Sequence, residues 1–159
     1  MTQPSRDDAA VRHASDSTEQ RLAEMEIVTL LSAELGVMLG PGGRIHVGDG
    51  SYVQVDARTS DDRVLVEVYA RQGALHGGQL KKIGQDILKF ALLRQQDHLA
   101  ESQLIIAFAS QEAVDSIRGW VAVAAFNFGV ELRLVDIGAE LRSILVAAQA
   151  RQVMQNSVD

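Results

Sequence analysis

The sequence contains no cysteine and few aromatic residues. Without cysteine, the protein has no disulfide bonds, thiolate metal sites or cysteine nucleophile, and the cytoplasm is the expected compartment. Aromatic residues make up 4% of the chain and hydrophobic residues 47%, so the core has to be built mainly from aliphatic side chains and alanine. No apolar stretch has the length of a membrane span, and the polar first residues do not resemble a signal peptide. We therefore expect no membrane partner.

The length of 159 residues fits one domain of ordinary size. Residues 1–16 have low hydrophobicity and no periodicity, which predicts a flexible N-terminal leader. Residues 17–159 are then expected to form a single α/β domain.

Lysine is scarce, and its distribution is uneven. The formal net charge is −6, which argues against a general nucleic-acid coating protein because phosphate binding depends on basic side chains. The only lysines are Lys81, Lys82 and Lys89, and residues 58–98 carry seven Lys or Arg against five Asp or Glu. The single basic zone of the chain is therefore in its middle third.

Hydrophobic periodicity and turn residues predict the element order αβββαβαβα. The predicted elements are a helix from Ser17 or Thr18 to Gly40, strands at 44–47, 52–57 and 63–70, a helix at 76–94, a strand at 104–109, a helix at 111–128, a strand at 130–135 and a helix at 139–155. The glycine-rich segment 40–43 is predicted to be a turn. Together the elements indicate a mixed central sheet flanked by helices.

Two acidic residues are placed on neighbouring strands of the predicted meander. Val53, Val55 and Ala57 predict one apolar face of the second strand, with Asp56 on the other face, and Glu67 has the corresponding position on the third strand. Glu34 lies at the margin of the apolar stripe of the first helix. Two or three carboxylates at one edge of a sheet are the hard oxygen ligands that suit Mg²⁺.

In these features the sequence resembles the PD-(D/E)XK superfamily of restriction-endonuclease-like nucleases. The resemblance covers residues 22–109 and matches Asp56, Glu67 in V-L-V-E-V-Y, and Glu34 to the acidic residues of that family. It implies a restriction-endonuclease-like core, Mg²⁺ or Mn²⁺ held by Asp56, Glu67 and Glu34, and hydrolysis of nucleic-acid phosphodiester bonds in DNA processing or defence.

The lysine of the family's E-x-K motif is replaced by Tyr69. A tyrosine with an ordinary pKa is neutral and cannot supply that positive charge. Some members of the superfamily take the lysine from the following helix, and a helical wheel places Lys81 beside the apolar stripe, with Lys82 and Lys89 facing away. The resemblance thus implies catalytic roles for Asp56, Glu67, Lys81 and Tyr69.

Other functions are compatible with the same residues. The chain is alternatively a catalytically inactive nuclease-fold protein that serves as an assembly or nucleic-acid-docking module. The alanine-rich segments A-V-A-A-F and L-V-A-A-Q of the last two helices are candidates for a homodimer or partner interface. Arg71 could contact a phosphate or pair with an acidic residue, and Glu67 could instead lie on an exposed sheet face.

Overall fold

The computed structural model describes residues 6–157, with side chains from residue 17 onward. Within them a five-stranded sheet has the order β1-β2-β3-β4-β5. The elements are α1 (Arg6–Leu35), β1 (Gly40–Gly48), β2 (Ser51–Arg58), β3 (Val64–Tyr69), α2 (Gly78–Arg94), a 3₁₀ turn (Asp97–Leu99), β4 (Gln103–Phe108), α3 (Gln111–Asp115), α4 (Trp120–Asn127), β5 (Val130–Leu134) and α5 (Ala139–Asn156).

The sheet is mixed, as the sequence predicts. Strands β1, β2 and β3 are antiparallel neighbours, whereas β4 is parallel to β3 and β5 is parallel to β4. Parallel neighbours require crossover connections, which α2 and the α3–α4 segment provide. The predicted α/β class with helices flanking a mixed sheet is therefore confirmed.

Each face of the sheet has its own apolar core. Leu104, Ile106 and Phe108 of β4 pack with helices α2, α3 and α4 on one face, which we call the α2 face. Ile105 and Ala107 pack with α1 and α5 on the other, which we call the α1 face. Because β3 and β4 lie between these layers, both strands are buried on both sides, in agreement with the continuous apolar run of β4.

The first helix and the glycine-rich segment differ from the predictions. Helix α1 begins at Arg6 and ends at Leu35, where Gly36 adopts a φ of 66°. Residues 1–5 of the predicted leader lie outside the described residues. The predicted turn at 40–43 is wrong because Gly40 opens strand β1, and Pro41 is tolerated there since β1 is an edge strand.

Two further predictions are corrected. The helix predicted at 111–128 is divided into α3 and α4, because Gly119 has a φ of 65° and caps the second segment. The uniform apolar face predicted for β2 is broken at Asp56, since Val55 packs on the α2 face and Ala57 on the α1 face. The chain therefore bends between these two residues.

Candidate functional site

Strands β2 and β3 separate at Asp56, and this fork is the centre of the candidate site. Their paired residues are Ala57 with Val66 and Arg58 with Leu65, close to the connecting turn. Beyond them the Asp56 carboxylate accepts a hydrogen bond of 2.8 Å from the backbone N–H of Val68. A side chain thus satisfies a strand amide that a regular ladder would pair with a carbonyl.

Gly42 allows the edge strand to follow this bend. A Cβ atom at Gly42 would lie 2.0 Å from the carbonyl oxygen of Val55 and 2.8 Å from the carbonyl carbon of Asp56. No side chain fits at that separation, so the glycine is required by the close approach of the two backbones.

Glu67 projects from β3 into a buried ion-pair network on the α2 face. The residue is 3% exposed, which rules out the exposed sheet face that the sequence left open. Its Oε1 contacts Lys89 Nζ, which also lies 3.1 Å from Asp86 Oδ1. Tyr69 donates a hydrogen bond of 2.5 Å from its hydroxyl to Asp86 Oδ2. Lys89 is therefore held between two carboxylates.

The lysine that contacts Glu67 is Lys89. The prediction that Lys81 substitutes for the lysine of the E-x-K motif is corrected accordingly. Lys81 is exposed, and Lys82 places its Nζ 4.7 Å from the Tyr69 ring centroid. The prediction for Lys81 placed it next to Leu88 on the rim of the apolar stripe, but Leu88 is 71% exposed. The buried stripe of α2 instead includes the polar Asp86, which turns Lys82 and Lys89 toward β3.

Tyr69 is held in place on both of its sides. Its ring stacks on Phe108 at a centroid distance of 5.4 Å, and the ammonium of Lys82 lies over it. Burial raises the pKa of the Tyr69 hydroxyl above its ordinary value, and the hydrogen bond to Asp86 adds to this rise. Tyr69 therefore remains a neutral donor.

Glu34 does not join the Asp56–Glu67 pair. Its carboxylate lies 3.9 Å from a guanidinium nitrogen of Arg133 on β5, two strands away from β3. Among the described side chains of α1, the acidic residue that interacts with Asp56 is Glu24, which lines a groove together with Asp56 and Val68. Sequence reasoning missed Glu24, although a signal was present: Glu24 is next to the buried Ala23 and three residues before the buried Ile27.

The carboxylates of the site influence one another. Burial raises the pKa of Glu67 to about 8, and the nearby charge of Asp56 contributes to the rise while Lys89 opposes it. Burial also raises the pKa of Glu24, with a smaller contribution from Asp56. Burial alone would lower the pKa of Lys89, but contact with Glu67 and Asp86 raises it. With a pKa of about 8, Glu67 is largely protonated at neutral pH and becomes ionised as the pH rises above 8.

The residues of the fork suit a cation that is bound mostly by water and substrate. Among the described side chains, no three Asp, Glu or His residues converge closely enough to hold a metal ion. Mg²⁺ commonly uses one or two carboxylates together with waters and substrate phosphates. Asp56 and Glu67 supply such oxygen donors; burial is the main cause of the raised pKa of Glu67, and the charge of Asp56 adds to it. The donor chemistry fits, although a closed protein cage is not present.

A cavity of about 240 Å³ lies at the end of β3, between α1, α2 and α5. Its wall includes Glu24, Tyr69, Arg71, Gln79 and Lys82. The groove beside Asp56 shares Glu24 and Val68 with this cavity, so the two adjoin.

None of the helices in residues 6–157 is long and apolar enough to cross a membrane. Comparison with protein-family models, curated proteins and solved structures finds no significant match to the chain.

Proposed function

We propose that the protein acts on nucleic-acid phosphodiester bonds through a nuclease-type site at the fork of β2 and β3. This chain has Tyr69 where the E-x-K motif has its lysine, and one observation carries the proposal: Lys89 of α2 contacts Glu67 of β3. The missing lysine is thereby replaced from the following helix. Asp56, at the point where the strands separate, provides the second acidic residue.

Each residue has a distinct part in the proposed reaction. Asp56 and Glu67 would hold Mg²⁺ or Mn²⁺, which supplies charge stabilisation at the phosphate and a more acidic bound water. Lys89 holds the Glu67 carboxylate in position, and Asp86 and Tyr69 hold Lys89. Lys89 and Tyr69 are therefore positioning residues, whereas Asp56 faces the groove that a strand would occupy.

The test is cleavage of single-stranded DNA, duplex DNA and RNA with Mg²⁺ or Mn²⁺. Asp56→Asn keeps an oxygen acceptor for the Val68 amide but removes the charge, so we expect a folded protein without detectable cleavage. Asp61→Asn is the matched control, because Asp61 lies in the turn after β2 and is 58% exposed. Equal activity of the wild type and Asp56→Asn would contradict the proposal.

A non-hydrolysing docking module is the second candidate. It is favoured by the closed network, in which Lys89 already contacts the carboxyl group of Glu67. A protein that binds a nucleic-acid strand but cleaves none of the three substrates with either metal would establish this alternative in place of the nuclease.

Assembly through the later helices is a further candidate, supported by helix α4. Its Trp120, Val123 and Phe126 are 77%, 58% and 84% exposed and lie on one side of the helix. We propose that a second copy of the chain covers this face. Light scattering is expected to show a dimer that Phe126→Asp converts to a monomer, and a monomeric wild type at high micromolar concentration would refute it.

A further inference from the structure

Among the described side chains, the wall of the cavity at the end of β3 carries more cationic groups than acidic ones. Arg71 makes no hydrogen bond or ion pair with any side chain in residues 17–157, and its Nε is buried without a partner. Lys82 contacts the ring of Tyr69 but forms no ion pair in that range. A buried guanidinium nitrogen without an acceptor is costly, and Arg71 lines the cavity, so an anion in the cavity would offset the charge of this guanidinium.

The rest of the wall adds donors more than acceptors. The side-chain oxygen of Gln79 is used by the backbone N–H of His76 at 3.0 Å, which leaves its NH₂ group for the cavity. Among the side chains described from residue 17 onward, Glu24 is the only acidic one in the wall, and its carboxylate accepts a hydrogen bond of 3.2 Å from Gln20. Arg71 and Lys82 outnumber this carboxylate in the wall. The wall therefore favours an anion.

We infer that this cavity binds a terminal phosphate monoester, with Arg71 and Lys82 as the anchoring groups. A guanidinium matches two phosphate oxygens at once, and an ammonium adds a point charge. The volume of about 240 Å³ is below the roughly 300–1,000 Å³ of sites for larger ligands, so a single phosphate with part of its sugar fits.

The source of the phosphate is argued from the adjoining groove. Because the cavity and the Asp56 groove share Glu24 and Val68, a strand whose terminal phosphate occupies the cavity can continue past Asp56. This part of the inference rests on the proposed function. It makes the protein an enzyme that recognises strand ends, in contrast to one that cuts at internal positions.

The test measures binding by the full chain in EDTA, so that cleavage does not enter. Oligonucleotides of one sequence are compared by fluorescence anisotropy in two pairs. The first pair differs only in a 5′-phosphate or a 5′-hydroxyl, and the second pair differs only in a 3′-phosphate or a 3′-hydroxyl. We expect at least tenfold tighter binding of one phosphorylated end. Arg71→Met and Lys82→Met should abolish the preference, whereas Arg71→Lys should keep part of it.

Lys81→Met is the matched control because Lys81 is adjacent in α2, exposed and absent from the cavity wall. It should leave the preference unchanged. Equal binding of phosphorylated and unphosphorylated strands would overturn the inference, as would a preference that survives Arg71→Met. If deoxyadenosine 5′-monophosphate binds as tightly as the phosphorylated strand, the phosphate pocket stands and its ligand is a free nucleotide.

The two proposals fail separately. A protein that prefers phosphorylated ends in EDTA but cleaves nothing with Mg²⁺ or Mn²⁺ retains the pocket and loses the nuclease. A protein that cleaves both kinds of strand equally and binds them equally retains the nuclease and loses the pocket.

Discussion

Replacement of Lys89 by methionine should destabilise the protein strongly. Methionine keeps most of the volume of the lysine stem but removes the only ammonium that contacts the Glu67 and Asp86 carboxylates. These side chains are 4% and 7% exposed, so water cannot replace the lost partner. Removing one partner of a buried ion pair costs about 3–5 kcal/mol. For a chain of this length, that loss lowers the Tm by on the order of 10 °C.

The assay is urea unfolding at pH 8.5, where Glu67 is largely ionised because its pKa is about 8. When Glu67→Gln is added to Lys89→Met, one of the two uncompensated charges is removed. The loss of unfolding free energy in the double variant should therefore be smaller than the sum of the losses in the two single variants. Lys81→Met should change the free energy of unfolding by no more than about 0.5 kcal/mol because the side chain is exposed. Additive effects of Lys89→Met and Glu67→Gln, within about 0.5 kcal/mol, would refute the ion-pair network.

Two further predictions concern the fold and its pH dependence. Gly42→Ala should destabilise the protein by about 1–3 kcal/mol or more, since its Cβ would lie 2.0 Å from the Val55 oxygen. Gly84→Ala in α2 is the control, because its Cβ meets no atom within 4 Å, and it should stabilise the protein by about 0.5–1 kcal/mol. If Gly84→Ala lowered the Tm more than Gly42→Ala, the close approach of the backbones at Gly42 would be contradicted. Because the pKa of Glu67 is raised to about 8, the folded state binds more protons than the unfolded state from about pH 4.5 to 8. The contribution of Glu67 to the free energy of unfolding should therefore fall as the pH rises through this window, by up to about 1.4 kcal/mol per pH unit. If the free energy of unfolding depended on pH in the same way in the wild type and in Glu67→Gln, the raised pKa of Glu67 would be disproved.

The order of elements was predictable because its signals are local. Alternation of apolar residues marks β3, the continuous apolar run marks β4, and turn residues separate the strands. The parallel pairing of β3 with β4 then follows from the intervening helix.

The details of the site depend on tertiary contacts that periodicity does not report. Asp86 is buried only because Lys89 and Tyr69 satisfy it, so a count of apolar residues assigns α2 the wrong face. The bend at Asp56 likewise requires the Val68 amide and has no signature in the alternation of β2. Resemblance to a nuclease motif could suggest Asp56 and Glu67, but it could not select Lys89.

Asp56 links the shape of the fork to its chemistry through a single carboxylate. One oxygen holds the Val68 amide while the group lines the groove. Descendants of this chain that lose any activity at the fork are therefore expected to retain a hydrogen-bond acceptor at this position. Selection for folding alone would favour asparagine there over an aliphatic residue. A relative without activity would therefore still have a polar residue at position 56 and the same separation of β2 and β3.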